Sequence, residues 1–377
     1  MKIVADNAIP FLRGVLDAYA EVRYVAGSAI SRRDLLDADA LLVRTRTRCS
    51  EELLHGTGVK FIGSATIGHD HIDPAYCARA GITWTTAPGC NAGSVQQYVA
   101  AAILATANRL GVPIHQATIG VVGVGNVGRL VAGVARDLGM RVLCNDPPRE
   151  RIEGSGGFIP LDDLLAVSDV VSLHVPLTTG GPDATAGLID ESRFQKMKER
   201  SVIINTSRGE VVDESALAGM LRRGTMSAVL DVWAGEPQTD PRLRNLAAIA
   251  TPHIAGYSVE GKAKGTAMVV NALAAHFGLP VHGWYPPELP PGKVRVLRID
   301  GSGLTGAEIL AEAIRRTYDI MEDDRRFRSA PGNFERLRAE YPVRREFSWY
   351  TVELTGEQGG AEKLLRSAGF RDVSRVR

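Results

Sequence analysis

The chain has 377 residues, with 44 Lys+Arg against 43 Asp+Glu and a formal net charge of +1 at neutral pH. Hydrophobic residues make up 45% and charged residues 23%, the balance of a soluble globular protein of two or three domains. A charge so near neutral argues against a dedicated nucleic-acid binder or membrane-surface protein, and no apolar run reaches the ~18 residues a membrane helix needs. Cys49, Cys77, Cys90 and Cys144 lack C-x-x-C spacing, so neither a zinc site nor a disulfide framework is expected. The start, Met1-Lys2-Ile3-Val4-Ala5, does not read as a secretory signal, and a reducing cytoplasm is the expected setting. Glycine, 40 residues, is the one compositional excess, and it punctuates short apolar runs as tight strand-to-helix turns do.

In chain order, residues 1–90 read as short strands alternating with polar or helical segments: Lys2–Ala5, Ala40–Arg44, Lys60–Gly63 and Ile82–Thr85. A long helical pattern starts at Asn91 and is closed by Gly111 and Pro113. Six short runs that are apolar on both faces follow: Thr118–Val122, Met140–Cys144, Val170–Val175, Ser201–Asn205, Ala228–Asp231 and Ala248–Thr251. Buried parallel strands look like this, and helical stretches lie between most of them. A further helical run, Ser258–Phe277, leads back toward the first unit. The expected fold class is α/β: a doubly wound parallel sheet over 91–256, inserted in a smaller α/β substrate domain split between 1–90 and 257–285.

The Pro-rich WYPPELPPG (284–292) reads as a linker. Beyond it, Pro286–Arg377 carries 17 basic and 15 acidic residues, about a third of its length. Strand patterns (Lys293–Ile299, Ser348–Leu354) and helix patterns (Ala307–Asp319, Ala361–Ala368) mark it as a folded α+β third domain over 286–377. Lying outside the other two, it is the expected homodimer interface.

The strongest local motif is Gly123-Val-Gly125-Asn126-Val127-Gly128, between a strand and a helix. The first glycine makes the tight turn and the second lets backbone approach a pyrophosphate. The third lets helix pack on strand, with the helix N-terminus facing the anion. Asp146 ends the next strand, where an acid accepts hydrogen bonds from an adenosine ribose and repels a 2′-phosphate. A Rossmann NAD site is expected, and Arg149, just past that acid, is the feature that would suit NADP instead.

Three more segments fall just after strand ends of the same sheet, where open α/β folds bind ligands. They bring Arg208 in NTSRG, Glu236 in DVWAGEP and His253 in TPHIAGY. Singly each has a bland structural reading. Together, beside a nicotinamide, they supply a cation for a carboxylate, a proton relay for a hydroxyl, and a carboxylate to orient that relay.

The segments IGVVGVGNVGR, INTSRGEVVDESAL, DVWAGEP and PHIAG resemble the D-2-hydroxyacid dehydrogenases, which split a substrate domain around a Rossmann domain. VRTRT, GSATIGHDHID, APGCNAGSVQQYV, HIAGYSVEGKAKGT, YDIMEDDRRFR and PGNFERLRAEYPVRREF resemble one branch, which acts on a phosphorylated 2-hydroxy acid. The resemblance implies that Arg208 and Glu236 are active-site residues and His253 the proton donor. It implies substrate contacts at Thr45, Thr66 and Tyr257. It implies NAD contacts at Asn126, Val127, Asp146, Thr206, Ser207, Arg208, Asp231 and Gly256. Val175 stands where the family commonly has a hydroxyl residue that contacts NAD. Arg44, Arg46 and Arg48 make the VRTRT loop basic, which suits a dianionic phosphate or simply a solvated loop. A metal reading of His69-Asp70-His71 with Asp73 is set aside in favour of a structural turn. The alternatives are a dehydrogenase for another 2-hydroxy acid, such as phosphoglycerate, and a non-catalytic NAD-sensing adaptor.

Overall fold

The computed structural model describes residues 1–356 and 360–376. The last residue of the expected third domain, Arg377, lies outside them. The chain divides into two compact units, Met1–Asn91 with Ser258–Pro291, and Ala92–Tyr257 with Gly292–Arg377.

The first unit holds strands β1 (Lys2–Asp6), β2 (Glu21–Val25), β3 (Ala40–Val43), β4 (Phe61–Ser64) and β5 (Thr83–Thr85). They form one parallel sheet in the order β2-β1-β3-β4-β5. Successive side chains of a strand point to opposite faces, so each apolar strand feeds two cores. Ile3, Ala5, Leu42 and Phe61 pack against Val270 and Leu273 of the helix Val259–Phe277. Val4, Leu41, Val43 and Ile62 pack on the other face with Leu35, Tyr76 and Ile82. The returning helix thus belongs to the sheet of the first ninety residues, and its Thr266 hydroxyl donates to the Pro10 carbonyl at 2.7 Å.

The second unit is built on β6 (Thr118–Val122), β7 (Arg141–Asn145), β8 (Val170–Leu173), β9 (Ser201–Asn205), β10 (Met226–Leu230) and β11 (Ile249–Ala250). All pair in parallel, in the order β11-β10-β9-β8-β6-β7. From β6 the chain goes to β7 on one side and then returns to β8 on the other, so the sheet reverses at β6/β8, the crevice where doubly wound folds bind ligands. Val121, Val202 and Ile204 face Val95, Tyr98 and Val131. Val171, Leu173 and Ile203 face Leu164, Phe194 and Leu217.

The C-terminal segment adds β12 (Val296–Asp300), β13 (Thr351–Thr355) and β14 (Asp372–Arg375), again all parallel, with helices Gly306–Thr317 and Ala361–Ala368 between them in the chain. From sequence this segment stands apart. In the structure Leu297, Ile299, Ile309, Val352 and Leu365 share one core with Ala100 and Leu104 of the helix Ala92–Thr106 and with Val134 and Leu138. Polar bonds follow the same seam: Ser94 Oγ donates to Glu346 Oε1 (3.1 Å), Gln96 Nε2 to the Ala368 carbonyl (3.1 Å) and Gln97 Nε2 to that of Arg345 (3.0 Å). These bonds account for polar residues at buried positions of an otherwise apolar helix. The edge strand β11 is covered too, because Asp324 Oδ1 accepts the Ala250 N–H at 2.7 Å.

Candidate active site

The glycine loop after β6 is shaped by close backbone approach. Gly123 has φ +83°, and a Cβ on it would come within 2.6 Å of the His174 carbonyl oxygen at the end of β8. A Cβ on Gly128, the first residue of the helix Gly128–Asp137, would meet the Gly123 oxygen at 1.9 Å. Gly125 between them faces open space, with nothing within 4 Å of such a Cβ. The outer two glycines therefore hold the turn, and the middle one leaves the backbone open to a ligand. Asn126 is exposed and Val127 half-buried at the helix start, while Val175 is half-buried after β8.

Asp146 follows β7 and does two things. Its Oδ2 accepts the Val124 N–H (2.8 Å) and its Oδ1 the Arg149 N–H (3.1 Å), which caps the helix Pro147–Glu153 and ties it to the glycine loop. Arg149, the feature that would suit a 2′-phosphate, is committed elsewhere: its Nε pairs with Glu153 at 2.7 Å and its guanidinium lies 5.5 Å from the Phe158 ring centroid. An open glycine backbone, a helix N-terminus and a carboxylate with no uncommitted arginine beside it fit NAD.

Arg208 follows β9. Asn205 shapes its turn, accepting the Ser207 N–H (3.1 Å) and hydroxyl (2.9 Å) on Oδ1 and donating Nδ2 to the Arg208 carbonyl (2.8 Å). Arg208 is half-buried and Nη1 donates to the Ser207 carbonyl at 2.7 Å, while Thr206 is also half-buried. Gly209 then brings this turn onto the loop after β10: a Cβ there would sit 2.0 Å from the Trp233 carbonyl carbon. That loop carries Glu236, whose Oε1 accepts the Trp233 N–H at 3.0 Å.

Glu236 Oε2 lies 2.7 Å from Nδ1 of His253, and the two side chains are 22% and 32% exposed. With Nδ1 turned to Glu236, Nε2 is the ring atom left for a ligand. Burial pushes the Glu236 carboxyl up, but the His253 hydrogen bond and charge, the Trp233 N–H and the Arg338 charge outweigh it and hold it below the ordinary value. His253 has φ +56°, an uncommon backbone for a residue other than glycine. Four bonds to Asp231 hold the segment in that shape. The carbonyl of Asp231 accepts the His253 N–H (2.7 Å), and its carboxylate accepts the Ile254 N–H (2.7 Å), the Ala255 N–H (2.8 Å) and the Thr251 hydroxyl (2.6 Å). Asp231 is 1% exposed, so its carboxylate acts here as the anchor of the loop that ends in Gly256 and Tyr257. Sequence reasoning gives Asn205 and Thr251 no part in the site, although both lie within the quoted motifs.

The expected substrate contacts divide between the two units. In the first, Thr45 is exposed on the loop after β3, while Thr47 points inward and donates to the Gly27 carbonyl at 2.8 Å. Thr66 Oγ1 lies 2.8 Å from Ser64 Oγ, itself 3.0 Å from His71 Nε2, so the GHDHID turn supports Thr66. The other members of that turn also have local partners: Asp73 accepts the Tyr76 N–H at 2.9 Å and the His69 ring lies 5.4 Å from that of Trp84. In the second unit, Tyr257 is half-buried with its ring 5.8 Å from that of Tyr341.

Known proteins bear on this geometry. Residues 91–255 match the D-isomer specific 2-hydroxyacid dehydrogenase NAD binding domain, and residues 289–369 match a domain of unknown function, DUF3410. Erythronate-4-phosphate dehydrogenase from Bacteroides fragilis is 45% identical over 357 residues, 94% of this chain and 100% of that one. The chain belongs to the erythronate-4-phosphate dehydrogenase family. The family's member in Pseudomonas savastanoi pv. phaseolicola is 43% identical over 98% of this chain and 99% of its own. Among solved structures, D-lactate dehydrogenase from Aquifex aeolicus complexed with NAD and lactic acid has a TM-score of 0.63 at 29% identity, covering 74% of this chain and 96% of that one. NAD+-bound 3-phosphoglycerate dehydrogenase from Entamoeba histolytica also reaches 0.63, at 26% identity over 74% of this chain and 95% of that one. The family is one of NAD-dependent oxidoreductases, and NAD is the cofactor of the second unit.

Proposed function

We propose that this chain oxidises 4-phospho-D-erythronate to 3-hydroxy-2-oxo-4-phosphobutanoate with NAD, a step of pyridoxal 5′-phosphate (vitamin B6) biosynthesis, as a cytoplasmic homodimer. The observation that carries the reading is the 2.7 Å Glu236–His253 pair beside the Arg208 turn, in a chain 45% identical to an erythronate-4-phosphate dehydrogenase. Arg208 grips the substrate carboxylate and 2-oxygen. His253 takes the 2-hydroxyl proton on Nε2, and Glu236 holds the resulting imidazolium in place. Bound NAD supplies the acceptor for the two electrons and the hydrogen leaving C2. Gly123, Gly125 and Gly128 with Asn126 and Val127 cradle its pyrophosphate, Asp146 takes the adenosine ribose, and Val175, Thr206, Ser207, Asp231 and Gly256 line the rest. Thr45, Thr66 and Tyr257 take the remainder of the substrate, its phosphate drawn to the basic 44–48 loop. Dimerisation falls to the segment after residue 286.

The test is NADH formation with 4-phosphoerythronate, erythronate and 3-phosphoglycerate side by side. Charge-assisted bonds to a phosphate are roughly twice as strong as neutral ones, and remote binding energy helps orient the reacting end. Loss of the phosphate is therefore expected to lower kcat/KM on the order of a thousandfold. Equal efficiency on erythronate sinks the phosphate reading, preference for 3-phosphoglycerate moves the substrate, and no turnover on any of them favours an NAD-sensing adaptor.

A further inference from the structure

The short helix Phe334–Ala339 of the C-terminal segment carries Arg338, whose side chain is 16% exposed. Its guanidinium carbon lies 5.7 Å from the Tyr257 ring centroid and 5.6 Å from that of Phe334. Nη1 is 3.6 Å from Glu335 Oε2, and Nε is buried with no hydrogen-bond partner. A cation so desolvated is costly unless negative charge stands near it. Tyr257, Glu335, Glu236 and Asp231 are groups within electrostatic reach of Arg338. Three of these four belong to the two loops that carry the Glu236–His253 pair.

The same segment meets the His253 loop a second time. Arg344, 5% exposed, donates Nη2 to the carbonyl of Ala255 and sits 4.6 Å from the Tyr318 ring centroid. Tyr318 and Tyr341 both donate to Asp323 Oδ2, at 2.7 and 2.6 Å, and Tyr341 is the ring against Tyr257. Nothing in dinucleotide binding or in a parallel sheet calls for this buried set of aromatic and charged groups beside the loop.

We propose that Arg338 is a positioning residue of the reaction centre, bearing on Tyr257 and on the Glu236–His253 pair, so that the segment of unknown function completes that centre. The proposal rests on the reading of His253 as the base. Its chemistry is simple: a cation beside the pair disfavours its protonated form, keeping Glu236 anionic and His253 able to accept a proton. Glu214 on the helix Glu214–Arg223 is also within reach of Glu236 and acts in the opposite sense.

The test compares the full-length wild type with Arg338→Met, which keeps bulk without charge, and Arg338→Lys, which keeps charge. Histidine ring signals are followed by 15N NMR against pH, together with the pH profile of kcat/KM and a thermal melt. In Arg338→Met the His253 titration and the acid limb of the profile should both move to higher pH, by about half a unit or more. Turnover should fall roughly tenfold with KM for NAD unchanged, and Arg338→Lys should restore most of both. A folded Arg338→Met protein with wild-type His253 titration and turnover overturns the proposal. If Arg338→Met does not fold, Arg338→Gln carries the same comparison. The titration needs no substrate, so a wild type inactive on 4-phosphoerythronate counts against the substrate reading alone.

Discussion

Asp231 receives the hydroxyl of Thr251 at 2.6 Å, and that hydroxyl is in turn 2.6 Å from the Tyr98 oxygen. One buried carboxylate thus joins the end of β10, the His253 loop and the long helix Ala92–Thr106. Asp231→Asn would place an amide N–H against backbone N–H donors. It should lower stability by about 2–4 kcal/mol in urea unfolding, with a matching loss of turnover. A variant with unchanged unfolding midpoint would deny Asp231 its anchoring part.

His253 is the base in the proposed reaction. His253→Asn should cut kcat by ~10²-fold or more while NAD still binds, since loss of a general base leaves the nucleotide contacts intact. Fluorescence titration with NADH alongside steady-state kinetics separates the two effects, and wild-type turnover would remove His253 from the mechanism.

Asp146 accepts the Val124 N–H of the glycine loop and, in the proposed reading, repels a 2′-phosphate. Asp146→Ser should therefore raise KM for NAD and narrow the preference over NADP by about tenfold or more. Kinetics with the two cofactors check it, and a wild type that already prefers NADP would end the ribose assignment.

His174 closes β8 with Nε2 2.9 Å from Ser172 Oγ, and burial holds its imidazole down from 6.5 to about 3. The unfolded chain takes up this proton near pH 6.5 while the native protein does not. Stability from this group is therefore present above about 6.5 and is lost as pH falls toward about 3, by at most about 1.4 kcal/mol per pH unit. His174→Gln should flatten that part of the stability–pH curve, measured by urea unfolding between pH 7 and pH 4. An identical slope in the variant would mean that His174 is protonated in the native state.

The strands most legible in the sequence are those buried on both faces. β9 and its neighbours read as unbroken apolar runs because the sheet leaves them no polar side. β2 and β14 escape notice because they are edge strands, half-exposed, and their EVRYV and DVSR carry charges that look like loop. Glu236 and His253 are legible as residue types after strand ends, but their pairing and the left-handed backbone at His253 are not, since they arise only once the two loops have folded together. Asp231 reads as a cofactor contact, since its backbone partners at 253–255 appear only once the loop has folded back. Arg338 and Arg344 are lost among the many charged residues of the C-terminal segment, where burial alone separates them from a solvated face.

Gln97 waits 248 positions for the carbonyl of Arg345, and Gln96 waits 272 for that of Ala368. Those intervals are also times on the ribosome. The helix Ala92–Thr106 emerges early, with buried glutamines and an apolar seam that Val134 and Leu138 cover only in part and the C-terminal segment completes. The nucleotide-binding unit is therefore expected to finish folding after synthesis ends rather than domain by domain as the chain emerges. Nascent chains arrested before residue 345 should remain open to protease across that helix, and the released protein should not.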